Sequence, residues 1–328
     1  MLQETENTLT ETSAMHDQDD RPSRRSATDT MPALQALTAQ QSGTRREATI
    51  AIQQASDRSR ILASSSGVTA PQSLSFGEWA QIACGIRQRM EAVSACLDHV
   101  FMGRRFPEFL LQSSSVVRLL RTFTDQIGEV TRKSISWGWL ASTDLYIAAD
   151  GRIIVIDQNL SSPTGLELLA RLIDRAQGES VTAFNDLARR LAESVVTYGD
   201  GTDSGSAIVL DPCRYNPTFR ENEFLARTIG AQIAHAGELA VTKDGVELVS
   251  GMKRTRIHTI MHRVDDDLLD PNCFRPDSLV GLPGLCKAWK NGLVNIVNPP
   301  GSGVASIRSF TQLVPEMIRE FLGEEPAL

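Results

Sequence analysis

The sequence predicts an α/β fold whose C-terminal part is built on a parallel sheet, preceded by a helical region that carries a small hairpin. Three observations carry this reading. From residue 207 onward, apolar runs of strand length at 207–210, 231–234, 257–261 and 293–297 are separated by helical stretches at 220–229 and 278–291, and strands that alternate with helices form a parallel, Rossmann-like sheet. Upstream, Trp79–Phe101 repeats apolar residues at helical spacing, through Ile82, Ile86, Met90, Val93 and Leu97. Between these regions lies the Gly/Ser/Asp-rich stretch Gly199–Ser206, which reads as a linker between domains at 74–200 and 201–328.

Each element follows from local chemistry. Residues 1–73 are rich in Ser, Thr, Gln, Asp and Arg. Such a composition buries too little apolar surface to offset ordering entropy, so a disordered tail is expected, with a transient helix at most over 31–41. Ser75 is placed as an N-cap, and Glu78 three residues on completes a capping box. A second helix is expected over 116–127. Asp144–Ala148 and Arg152–Ile156 read as a hairpin turning at Ala149-Asp150-Gly151. A helical segment follows, from about Leu166 to Val196. A further hairpin spans 239–249 and turns at Lys243-Asp244-Gly245, and Gly230 and Gly292 stand where helix C-caps belong.

Composition narrows the function classes. A net charge of -7, with 22% charged residues, gives no electrostatic footprint for nucleic acid. Apolar runs such as Ile153–Ile156 and Leu293–Val297 have strand length, not bilayer length. The first residues have neither the basic nor the apolar segment of a secretory signal. The five cysteines, Cys84, Cys96, Cys213, Cys273 and Cys286, are scattered without a C-x-x-C pair, so they read as reduced thiols of a cytoplasmic protein.

Ligands of an open α/β sheet sit beyond the carboxyl ends of its strands. Here those ends run into Asp211-Pro212-Cys213-Arg214, His262-Arg263-Val264-Asp265-Asp266-Asp267 and Asn298-Pro299-Pro300-Gly301-Ser302-Gly303. The Gly301-Ser302-Gly303 loop, ahead of a helix expected near Phe310–Phe321, either presents N–H groups to an anion or is an ordinary turn. The run Asp265–Asp267 beside Arg263 is either a binding edge or a solvated loop. Strand alternation turns Asp157 and Asn159 to one side. Together they are either a hard-oxygen pair for Mg²⁺ or simply the end of a strand.

These segments resemble a known family. Val155–Gly165 (VIDQNLSSPTG) is similar to the E-D-N-x-x-x-P-S-G segment of circularly permuted ATP-grasp proteins. Phe219–Arg227, His262–Pro271, Asp277–Leu285, Asn298–Val304, Phe321–Pro326 and Glu78–Arg89 resemble further segments in the family's order, so the likeness spans about 74–328. The resemblance implies a Rossmann-like pre-ATP-grasp domain plus part of an ATP-grasp lobe, and ligation of small carboxylate and amine substrates through an acyl phosphate. ATP and Mg²⁺ are the implied cofactors. Asp157 and Asn159 would be metal ligands. Arg263 and Asp265 would act in the acceptor or acyl-phosphate pocket, with Asn298, Gly301, Ser302 and Gly303 binding substrate or phosphate.

The chain departs from the pattern in several places. Asp157 stands for the usual Glu, Asn222 for a His, and Arg308 near an expected Lys. The sequence ends soon after Glu324-Glu325-Pro326, where relatives continue into a K-P pair and a Gly-rich loop over the ATP phosphates. The expectation is therefore a ligase component completed by another polypeptide, or the stub of a longer gene product, or, as the alternative, a non-catalytic binding remnant of the fold. A Rossmann-like oxidoreductase is disfavoured, because no G-x-G-x-x-G follows the first strand of the sheet.

Overall fold

The computed structural model describes residues 74–130, 132, 135–176, 179–197 and 206–328, which belong to one compact unit running from Gln72 to Leu328. The expected tail over 1–73 and nearly all of the 199–206 linker lie outside the described residues.

Helix α1 (Phe76–Phe101) begins as its sequence dictates: Ser75 N donates to Glu78 Oε2 at 2.7 Å, and Glu78 N donates to Ser75 Oγ at 3.2 Å. Those bonds hold the Glu78 carboxyl below its ordinary pKa. Its buried stripe includes Ile82, Val93, Leu97, Val100 and Phe101. Two polar residues of this helix, Gln88 and Arg89, are also buried, and both face the chain's C-terminal segment. Gln88 donates to Glu324 Oε2 (2.7 Å) and accepts from Ala327 N (2.9 Å). A Cβ on Gly85 would stand 2.3 Å from the Leu328 side chain, so glycine is what lets that segment lie against the helix.

After a single turn, α2 (Glu108–Leu111), helix α3 (Ser114–Ile127) buries Val116, Leu120, Phe123, Thr124 and Ile127, one apolar face at 3.6-residue spacing. Strands β1 (Ser142–Ile147) and β2 (Ile153–Asn159) form the expected antiparallel hairpin, with Gly151 at φ 83° in its turn. The segment 166–196 divides into two helices, α4 (Leu166–Ala176) and α5 (Glu179–Thr197).

The main sheet comprises β3 (Ser206–Leu210), β4 (Gln232–Ala234), β5 (Leu239–Thr242), β6 (Gly245–Ser250), β7 (Lys253–His262) and β8 (Asn295–Val297). Strands β4, β3, β7 and β8 run parallel, while β5 and β6 add an antiparallel edge along the first half of β7. Strand β7 thus changes neighbour midway, pairing with β6 up to Ile257 and with β8 from Thr259. The parallel part is covered on both faces, and strand alternation sorts its side chains between two cores. Ile208, Leu210, Ile260 and Ile296 join the larger core with α1 and α3, whereas Val209, Met261 and Val297 meet Leu225 of α6 (Phe219–Thr228), Ile229 just after it, and Val195 of α5. The larger core is anchored by Phe101 stacked at 4.8 Å on Trp137, and by Trp289 and Phe310.

Two helices are shorter than their sequence pattern suggests. Over 278–291 only α7 (Leu285–Lys290) is α-helical, because Gly284, its N-cap, adopts a left-handed φ of 84°. The 310–321 region is broken into α8 (Arg308–Thr311), α9 (Val314–Met317) and a π-type turn, Ile318–Leu322. Pro315 supplies no N–H to the Thr311 carbonyl four residues back. A side chain of α1, Arg89, reaches that oxygen instead, at 3.4 Å. Among the described residues no helix is long and apolar enough to cross a membrane.

Candidate functional site

The four parallel strands end side by side at Asp211, His235, Arg263 and Asn298, the edge where such sheets hold ligands. Asp211 is fully buried. Its carboxylate accepts from Asn222 Nδ2 at 2.6 Å, and its second oxygen, without a hydrogen-bond partner, lies 3.6 Å from His235 Nδ1. Asn222 Oδ1 in turn accepts from Arg263 Nε at 2.8 Å, and the far end of that guanidinium donates to the carbonyls of Pro163 (2.8 Å) and Ser162 (3.4 Å). Burial lowers the Arg263 pKa to about 10, opposed by the charges of Glu221 and Asp211. Glu221 accepts from the N–H groups of Gly165, Leu166 and Glu167, at 3.0, 2.8 and 3.0 Å, and so caps α4 from a neighbouring helix. The F-R-E-N-E segment of α6 therefore fastens the loop after β2 to the sheet.

The acidic triplet divides. Asp265 and Asp267 are exposed, and Asp266 points inward. The Asp266 Oδ2 atom accepts from Gly301 N at 3.0 Å and Gly303 N at 2.9 Å. The N–H groups expected to meet a bound anion are thus satisfied by this chain's own carboxylate. Burial raises the Asp266 pKa, while the nearby His262 and the Gly303 and Gly301 amides pull it down. Glycine is required by packing at both positions: a Cβ on Gly301, at φ 95°, would press on the Phe101 ring at 2.5 Å, and one on Gly303 would meet Asp266 at 2.8 Å.

Asn298 clasps two segments, accepting from Leu140 N (3.1 Å) and donating to the carbonyls of Leu140 (2.7 Å) and Leu160. Ser302 is fully buried, with its hydroxyl 3.5 Å from the Leu160 carbonyl. Ser306 Oγ accepts from Leu160 N and Ser161 N and reaches Asn159 Oδ1 at 3.4 Å. The end of β2 is thereby pinned to the loop after β8. Asn159, Arg263, Asn298, Gly301, Ser302 and Gly303 share one junction, while Asp265 faces solvent.

At the mouth of this junction lie the hairpin's acidic residues. Asp157 accepts from the Gln158 N–H at 2.8 Å, and Asn159 Oδ1 accepts from Ser161 N (2.9 Å) and Ser162 N (3.1 Å). Directly across the hairpin from Asp157 is Asp144, so the two carboxylates share a face of the sheet. Asp144 belongs to no sequence motif. Its signal was the hairpin register, which a bulge beside it offsets by one residue. Among the described residues there is no cluster of three His, Cys, Asp or Glu side chains able to hold a metal ion. The paired Asp144 and Asp157 carboxylates are hard-oxygen donors of the type that suits Mg²⁺, whereas Asn159 Oδ1 is already engaged by Ser161 N and Ser162 N.

The fold is an open, mostly parallel α/β sheet whose strand ends meet an antiparallel hairpin carrying Asp144 and Asp157. Residues 71–328 match the family model described as circularly permuted ATP-grasp type 2, and the chain belongs to that family. ATP-grasp proteins generally bind ATP and Mg²⁺. An uncharacterized protein of Synechocystis sp. is 26% identical over 267 residues, covering 79% of this chain and 56% of that protein. One from Mycobacterium bovis is 27% identical over 272 residues, covering 79% of this chain and 48% of its own length. A Frankia alni protein with a provisional glutamate–cysteine ligase name is 24% identical over 274 residues, with 79% of this chain and 31% of that protein covered. The chain thus spans about half the length of the first two of these relatives.

Proposed function

We propose that this chain takes part in ATP-dependent joining of a small carboxylate to an amine through an acyl phosphate, and that it acts in the cytoplasm. The family and the ligase name of its Frankia relatives support that reaction class. In this reading residues 201–328 are the Rossmann-like pre-ATP-grasp domain, and 74–200 contribute part of the ATP-grasp lobe. The observation that carries the reading is the pairing of Asp144 with Asp157 beside Asn159, at the point where the hairpin meets the strand ends.

Asp157, Asn159 and Asp144 would hold Mg²⁺ through carboxylate and amide oxygens. Bound Mg·ATP would supply the phosphoryl group and neutralise part of the charge that its transfer develops. Arg263 keeps a positive charge buried under the site, and Asp265 stands exposed at its rim to orient an amine. Asn298, Ser302 and the two glycines form the pocket wall. Because Asp266 occupies the Gly301 and Gly303 amides, their part is to set the wall's shape, and a bound anion would have to displace that carboxylate.

The test is Mg·ATP binding to the chain by titration calorimetry, with Asp157→Ala and Asp144→Ala compared at equal folded fraction. Each is expected to weaken binding about tenfold or more. Unchanged affinity in both variants would remove the hairpin from the site.

A further inference from the structure

His235 directly follows β4, and its ring lies against Asp211 at the end of the neighbouring β3. Its backbone N–H is held by Glu238 Oε2 at 2.8 Å. Ring atom Nδ1 stands 3.0 Å from the Asp211 carbonyl oxygen and 3.6 Å from Asp211 Oδ2. A carbonyl oxygen only accepts, so Nδ1 carries the ring proton and Nε2 keeps its lone pair. The side chain is 36% exposed, and Nε2 makes no bond among the described residues. Behind the ring, Asp211 is wholly buried, and its Oδ2 has no hydrogen-bond partner. A buried carboxylate oxygen in that state is costly, and a ring that gains a second proton 3.6 Å away supplies the missing charge. The carboxylate is held in place from the other side: Asn222 Nδ2 bonds its Oδ1 at 2.6 Å, and Asn222 is itself bonded by the buried Arg263 at 2.8 Å. One line of contacts therefore runs from the Pro163 carbonyl, after β2, through Arg263, Asn222 and Asp211 to His235.

We propose that His235 is the general base of this edge, and that Asp211 is the residue that positions it and offsets the charge it acquires. The proposal rests on the ligase reading for the identity of the proton donor, the amine substrate. Amines reach a protein at neutral pH as ammonium ions, which have no lone pair for attack. Nε2 takes one proton, so that an N–H bond of the substrate breaks and the Nε2–H bond forms. The freed lone pair makes the C–N bond to the acyl carbon, and the phosphate departs with the electron pair of the C–O bond. The amide product sheds its extra proton to water, and the imidazolium returns its own to solvent. A half-exposed imidazole backed by a buried carboxylate suits this exchange: the ring reaches solvent, and its tautomer is set from behind.

The first measurement is a long-range proton–nitrogen NMR spectrum of the nitrogen-labelled, unaltered chain at alkaline pH, with the His235 ring assigned by its loss in His235→Gln. The expected result is a proton on Nδ1 and a bare Nε2; a ring protonated on Nε2 overturns the proposal whether or not the chain turns over. The second measurement supplies Mg·ATP, a pool of amino acids as carboxylates, and two kinds of acceptor. Hydroxylamine is largely neutral at neutral pH and traps an acyl phosphate as hydroxamate without a base, whereas simple amines arrive as ammonium ions. In His235→Gln the ratio of hydroxamate to amide should rise about a hundredfold, and amide formation should recover as pH is raised and solvent removes the proton instead. Asp211→Asn, which keeps an acceptor for Asn222, should raise the same ratio about tenfold. Being a ratio, the readout does not depend on the folded fraction of a variant. Equal loss of hydroxamate and amide in His235→Gln would overturn the proposal. Hydroxamate missing from the unaltered chain as well would count against the ligase reading, and the ring tautomer then decides the Asp211–His235 pair by itself.

Discussion

The strand-end junction and the open end of the β1–β2 hairpin carry the same kinds of residue, yet they use them in opposite ways. At the junction Asp211, Asn222, Arg263, Asp266 and Asn298 are all buried, and their bonds run to other parts of the chain. At the hairpin Asp157 bonds only its neighbour's amide, and Asp144 is exposed. Buried polar groups must find partners inside the protein, since unpaired ones cost about 1–3 kcal/mol each. Those at a rim keep their lone pairs for a ligand. The lesson is that a polar cluster at a strand end is first a device for fastening segments together, although Asp211 Oδ2 and Asp266 Oδ1 have no hydrogen-bond partner even there.

That contrast can be broken by mutation, the largest effect first. Arg263→Ala removes the donor to Asn222, Ser162 and Pro163, and should destabilise the chain by about 3–5 kcal/mol, the loss expected from breaking a buried charged network. Urea unfolding measures it, and a loss below about 1 kcal/mol would show that the network is not structural. Asp266→Ala leaves two glycine amides without an acceptor and should cost about 2–4 kcal/mol.

Asp266→Asn sharpens the point through pH. With the folded pKa raised above the ordinary 3.8, the carboxyl's stabilising contribution is full below that ordinary value. It is lost as pH rises through the raised one. The stability gap between wild type and Asp266→Asn should therefore narrow on going from acid to neutral pH, as urea titrations at several pH values would reveal. A gap that widens would mean that the pKa is lowered instead. Gly301→Ala, which strains a left-handed φ and presses on Phe101, should cost about 1–3 kcal/mol in the same assay. Asp157→Ala comes last, with a stability change within about 0.5 kcal/mol. A large destabilisation by Asp157→Ala would erase the distinction between the two regions.

Much of this was legible in advance. The α1 cap, both hairpins and the parallel strands follow from local rules, because capping, turn chemistry and two-residue alternation act over a few residues. Family membership was legible too, since the motifs appear in order along the chain. Pro315 and Gly284 were visible, but their consequence was not. Helical periodicity pointed one way there, and the left-handed Gly284 and the missing N–H of Pro315 went the other, with Arg89, remote in sequence, taking up the Thr311 carbonyl.

Taken alone, then, the sequence determined most of the element types, where the strands end, and the family. Only tertiary structure decided which of three consecutive aspartates turns inward, that Asp144 faces Asp157, and that Asn222 bridges Asp211 to Arg263. The physical reason is range. Backbone preferences are set by neighbours along the chain, whereas the partner of a buried polar atom is whatever the closed core brings within about 3 Å of it.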